Sequence, residues 1–203
     1  MPDRNGSAYG LTAIFPIKNG RFTSSDGYET SYLENLQSYL AGMPQAGGGP
    51  FARAPITHFS RFVVIDRLGY NGEPSKAEDL RSAYLLWTCC FNGDLLTYLG
   101  GLYATMHQEL SEIFEHCVAF EDYPGEEGFT RYVKYCQVTT SFLFADYPDA
   151  TVEDVLISLQ LRKNFMPFAR QNQDTDAATL RANFEKWVRE VEDADPPVPG
   201  AVL

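Results

Sequence analysis

Residues 83–118 limit the possible folds more than any other stretch, because an unbroken apolar run passes there through a tight turn into a long one-faced helix. Residues 83–91 read AYLLWTCCF. Side chains alternate between the two faces of a strand, so a run with no polar alternation belongs to a strand covered on both sides, near the centre of a sheet. Asn92-Gly93 then supplies a tight turn, and Asp94 is placed to cap a helix N-terminus. Beyond it Leu95, Leu99, Leu102, Met106, Leu110, Ile113 and Cys117 recur at three- and four-residue steps. That spacing draws one buried stripe on a helix from 95 to about 118. Gly100-Gly101 lies in its first half. Each glycine costs about 1 kcal/mol relative to Ala, so close packing or a bend is expected.

The flanking segments extend the pattern. Residues 11–17 (LTAIFPI) predict a strand ended by the turn Lys18-Asn19-Gly20. A helix near 27–41 places Tyr32, Leu33, Leu36, Tyr39 and Leu40 on one side and stops at Gly42. The Gly- and Pro-rich stretch 43–55 reads as a loop, 56–66 (ITHFSRFVVID) as a second strand, and the segment with Gly69, Asn71, Gly72 and Pro74 as a connection. After the long helix comes an acidic loop with Glu121, Asp122, Glu126 and Glu127. Residues 131–145 (RYVKYCQVTTSFLFA) then read as a fourth strand, alternating in its first half. Thr151 with Asp154 three residues on opens another helix as a variant capping box. A last helix near 177–191 aligns Leu180, Phe184, Trp187 and Val191.

The resulting order, β-α-β-β-α-β and two C-terminal helices, predicts an α+β domain over 1–195 with the ferredoxin-like split βαβ arrangement. Residues 196–203 are expected to be a disordered tail. A four-stranded antiparallel sheet of this kind has helices on one face only. A second subunit, the C-terminal helices or a ligand must cover the other.

Charge narrows the partners. The 203 residues carry a formal net charge of −11 with no basic run, which disfavours nucleic acid and anionic membrane surfaces. No apolar stretch approaches the roughly 20 residues needed to span a bilayer, and MPDRNGSAYG has no basic segment leading into an apolar one. A cytoplasmic chain without membrane insertion is expected. Cys89, Cys90, Cys117 and Cys136 form no CxxC pair; they read as free thiols in a reducing compartment.

Candidate site residues follow from strand parity. His58 shares a strand face with Ser60, Phe62, Val64 and Asp66. If that face turns away from the helices, His58 stands in the open cavity as a base, a haem ligand or a hydrogen-bond donor; otherwise it is a structural histidine. Arg61 needs an anionic partner if buried, from Asp66, Asp94 or a ligand carboxylate. Asp94 is a candidate acid or simply a cap, and Asn92 a ligand contact or simply a turn residue. Tyr135, on the expected fourth strand, would present its hydroxyl to the cavity that Phe62 and Trp87 line. His107 and His116 fall at the two borders of the long helix's buried stripe, too far apart to share a metal, and no HExxH or similar metal spacing occurs.

Three segments together resemble a known group: PITHFSRFVVID (55–66), YLLWTCCFNGDLLTYL (84–99) and IFEHCVAF (113–120). They are similar to the HFARW and LLF-x-SNFDG stretches of bacterial domains of about this size, found alone or attached to oxidative enzymes. The resemblance implies a ferredoxin-like domain of the dimeric α+β barrel superfamily, which includes dye-decolorising peroxidases, chlorite dismutases and small monooxygenases. It implies a small apolar or anionic ligand, an oxidoreductase or haem-linked accessory role, and a homodimer or a partner oxidative enzyme. The chain departs from the peroxidases in having FNGD at 91–94 where they carry GxxDG, and in having one ferredoxin-like unit. The alternative is a non-catalytic interaction or dimerisation module.

Overall fold

The computed structural model describes residues 3–23, 27–45, 49–70, 72–73, 78–195 and 197–199, without the side chains of 78–79. In chain order come β1 (Arg4–Asn5), β2 (Ala8–Pro16), β3 (Arg21–Thr23), β4 (Glu29–Ser31), α1 (Tyr32–Gly42), β5 (Thr57–Leu68), β6 (Glu78–Asn92), α2 (Leu95–Phe114), α3 (Gly125–Cys136), α4 (Val152–Gln171) and α5 (Ala177–Glu192). The main sheet is antiparallel, in the order β1-β2-β6-β5, and β3 and β4 form a separate small hairpin.

The apolar run at 83–91 is the heart of β6, which pairs with β2 on one side and β5 on the other. Its odd residues Leu85, Trp87, Cys89 and Phe91 are buried, and so are Tyr9, Leu11, Ala13 and Phe15 of β2 opposite them. Onto this face α2 lays Leu95, Leu99, Leu102, Met106, Leu110 and Ile113, every one buried as its spacing requires. Asp94 caps α2 by accepting hydrogen bonds from the Leu96 and Thr97 amides at 2.9 and 3.2 Å. The helix does bend, at Met106 (φ −146°) and not at the glycine pair.

Residues 131–145 are not a strand. Residues 125–136 form α3, which buries Phe129, Tyr132 and Val133 against the core, a helical three-and-four spacing that the aromatic and β-branched composition masked. Beyond α3 the chain only brushes β2, through a bridge between Ala13 and Gln137 and a hydrogen bond from the Val138 amide to the Thr12 carbonyl at 2.8 Å. The fourth strand is the short β1, so the strand order departs from the expected one. Past α3 the chain runs irregularly to the Thr151–Asp154 capping box, which starts α4 as expected.

The outer face of the sheet, with Ile14, Leu86, Cys90, Val63 and Ile65, is left half-exposed, and the core cluster contains no residue of α4 or α5. Those helices pack on each other, so they are not the lid. Of the tail 196–203, all but 197–199 lies outside the described residues. Cys89 and Cys90 point to opposite faces, and all four cysteines are free. No helix among the described residues is long and apolar enough to cross a membrane.

His116 also departs from its expected border position, being 1% exposed. Its Nδ1 lies 2.8 Å from the Glu112 carbonyl and its Nε2 2.7 Å from the Asn35 carboxamide, with Phe22 against the ring. Burial lowers its pKa, outweighing the opposing backbone hydrogen bonds of Glu112 and Ile113. A folded-state value below the unfolded one, near about 6.5, means the full contribution is present above that pH and is lost as pH falls beneath it. Urea midpoints compared at about pH 7.5 and about pH 5.5 should drop less in His116→Gln than in the wild type. Equal drops would remove His116 as the titrating group.

Candidate functional site

Among the described residues β5 pairs only with β6, which leaves its other edge without a strand. At its start the register steps from Thr57↔Phe91 to Phe59↔Cys90, so His58 is the extra residue of a bulge. Bulges re-aim side chains, and here the parity changes. Thr57 faces inward, its hydroxyl 3.0 Å from that of Tyr98, Phe59 turns outward at 60% exposure, and His58 stands exposed on the edge. The face carrying Ser60, Phe62 and Val64 is the covered one: Trp87 donates its Nε1–H to the Ser60 hydroxyl at 2.9 Å, and Phe62 and Val64 pack on the core. The cavity turned away from the helices that strand parity offered His58 is therefore not where it lies.

His58 lines instead a cleft of about 580 Å³ along this edge, together with Arg61 and Phe62. The facing wall is Leu40 and Met43 from the end of α1 and Pro50 and Phe51 from a short 3₁₀ turn. Phe62 forms the floor, stacked on the fully buried Trp87 at 5.5 Å and 21° and approached by Phe51 at 6.0 Å. Arg61, opposite Thr88 on the outer face of the sheet, is exposed where the cleft meets the β5 edge. Asp66 turns to Arg67 and Asp94 to Arg4, and among the described residues no carboxylate pairs with Arg61. An adjoining hollow of about 350 Å³ shares Met43, Pro44 and Pro50 and reaches the Arg53–Glu109 ion pair. Burial pushes the Glu109 carboxyl up, but the Arg53 hydrogen bond and charge outweigh it and hold the group below its usual value.

The other candidates are elsewhere. Tyr135 lies on α3, not on a strand, and is 82% exposed away from the cleft. Asp94 is the α2 cap, with Arg4 at 3.1 Å. Asn92 is buried, its Nδ2 donating to the Ala150 carbonyl at 3.1 Å and the Ser7 hydroxyl at 3.3 Å, so it ties the start of α4 to the sheet. Burial pushes the Cys89 thiol up to about 12 and Cys136 up to about 11, which keeps both protonated and poorly nucleophilic near neutrality. Among the described residues no group of three or more His, Cys, Asp or Glu could hold a metal ion. Sequence reasoning missed the wall of Leu40, Met43 and Phe51. The Gly-Pro loop that places it carries no periodic signal.

No family model matches this chain, and neither a curated protein nor a solved structure matches it.

Proposed function

We propose that this chain binds a small molecule with an aromatic or apolar body and an anionic group in the cleft at the β5 edge. The observation that carries the reading is the convergence of Arg61, His58 and Phe62 on one cleft. A guanidinium with no carboxylate partner among the described residues favours an anion, by charge and by its bidentate geometry. The imidazole adds a hydrogen bond, and the Phe62–Trp87 stack gives a flat apolar floor suited to a ring.

The resemblance of 55–66 and 84–99 supports placing that ligand in oxidative chemistry, acted on by an oxidoreductase of peroxidase or monooxygenase type or handed to an oxidative enzyme. The adjacency β2-β6-β5 supports the ferredoxin-like reading, since those strands neighbour one another as the first, third and second strands of a split βαβ do. Haem does not fit this site: an axial histidine belongs in an enclosed socket, and His58 is exposed on a bulged edge. We derive no step through it. A second reading, a non-catalytic interaction module, is favoured by the exposed apolar side of α4.

Trp87 beneath the floor gives the test. In a Trp187→Phe background its fluorescence reports the cleft alone. Titration with aromatic carboxylates should quench it saturably, and Arg61→Ala should weaken binding by about tenfold or more, the worth of a charged hydrogen bond. His58→Ala should weaken it less, and neither change should lower the melting temperature, because both side chains are exposed. Binding unchanged in Arg61→Ala would move the ligand out of this cleft, and a haem absorption band in the purified protein would overturn the ligand class.

A further inference from the structure

The cleft at the β5 edge has one wall that comes from neither α1 nor the sheet. Pro199 stands in its lining, with Thr57, His58 and Phe59 of β5. The course of the chain explains how it arrives there. The root of α4 is held at the end of β6, where the Asn92 carboxamide donates to the Ala150 carbonyl at 3.1 Å. That point adjoins the start of β5, since Phe91 pairs with Thr57. α5 then runs back along α4: Phe168 meets Phe184 at 6.0 Å and Phe165 meets Trp187 at 5.6 Å, which is an antiparallel order. The end of α5 is thereby aimed at the end of the sheet where His58 lies, and the chain meets the cleft at Pro199.

Pro197 and Pro199 are half-buried, whereas Val198 between them is 67% exposed, the alternation of a segment laid along a surface. Proline suits that position. It has no backbone N–H to be orphaned against an apolar wall, and its fixed φ leaves little chain entropy to lose on docking. The cleft offers Pro50, Phe51 and Phe62, flat apolar surfaces of the kind that take proline segments. We infer that Pro197-Val198-Pro199 is a strap that docks across the β5-edge cleft and closes it over its ligand. The cavity decides between a lid and a plug. A plug would fill the cleft, but about 580 Å³ stays open with Pro199 in its lining, which is room for a small ring-bearing acid. Closure over a ligand rests on the reading of the cleft given above; the docking of the strap does not.

Amide NMR of the full chain without ligand tests the docking. Pro197→Gly combined with Pro199→Gly restores freedom to the strap. It should shift the resonances of Thr57, His58 and Phe59 and leave those of Leu11–Phe15, on the far side of β6, in place. No shift at 57–59 would overturn the inference. Benzoate titration in the Trp187→Phe background then tests closure: the double variant should bind about fivefold more weakly and release faster. Tighter binding would make the segment a competitor, unchanged binding would place it clear of the ligand, and either would overturn the lid. Failure of benzoate to quench the Trp187→Phe protein itself, with the shifts at 57–59 present, would overturn the ligand reading and uphold the docked strap.

Discussion

Trp87→Ala is expected to lower the unfolding free energy by about 4 kcal/mol, the usual loss for a fully buried tryptophan. Trp87 lies mid-strand in β6 with no exposed surface, stacked on Phe62 at 5.5 Å and tilted against Phe114 at 6.0 Å. Its indole N–H is satisfied by Ser60. Truncation removes the transfer energy of the ring, leaves a cavity between the sheet and α2, and takes the floor from under Phe62. Its ring neighbour Phe114 is itself braced by Phe15 and Tyr132, which limits how far the cavity can collapse. Trp87→Phe keeps the ring and should cost well under half as much. Urea unfolding followed by far-UV circular dichroism reads both; a loss under about 1 kcal/mol for the alanine variant would show that β6 is not the centre of the core. The same variant should lose ligand binding at the cleft, because Phe62 would sink into the space.

Gly128→Ala is the second large expectation, and its sign is the instructive part. Gly128 is a buried helical residue of α3, where alanine ordinarily stabilises by about 1 kcal/mol. Here an added Cβ would fall on the backbone carbonyl of Tyr123, which no side-chain rotation can relieve. The helix or the Phe120–Tyr123 turn must move, and Tyr123 is itself held against Tyr132 at 5.2 Å. We expect a net loss of about 3 kcal/mol, at the upper end for overpacking. Gly101→Ala provides the contrast, since nothing lies within 4 Å of its Cβ position; there the propensity gain of about 1 kcal/mol should appear as added stability. If both variants stabilise, the close approach of α3 to the 120–123 turn is wrong.

Local patterning carried much of the fold. The buried stripe of α2, its Asp94 cap, the Thr151–Asp154 capping box and the unbroken apolar run of β6 are each decided by neighbours within one or two turns of chain, so they could be read from residues alone. Three strands of the antiparallel sheet were legible in the same way, though the fourth is β1 and not 131–145, and so was the clustering of His58, Arg61 and Phe62 on one strand. Tertiary structure decided the rest. Residues 131–136 pair Tyr, Val and Cys in an order that serves a strand or a helix, and the helix won because Phe129 and Tyr132 then both reach Phe114, with Val133 buried beside them. The edge position of His58 depends on a bulge, an event of strand register that leaves no mark in composition. The other wall of the cleft comes from the end of α1 and the non-periodic turn just before β5, and Tyr135 and Asp94, neighbours of the site by expectation, were carried away by a helix and a cap. Periodicity reports which side of an element is buried. Only the packed structure determines what it is buried against.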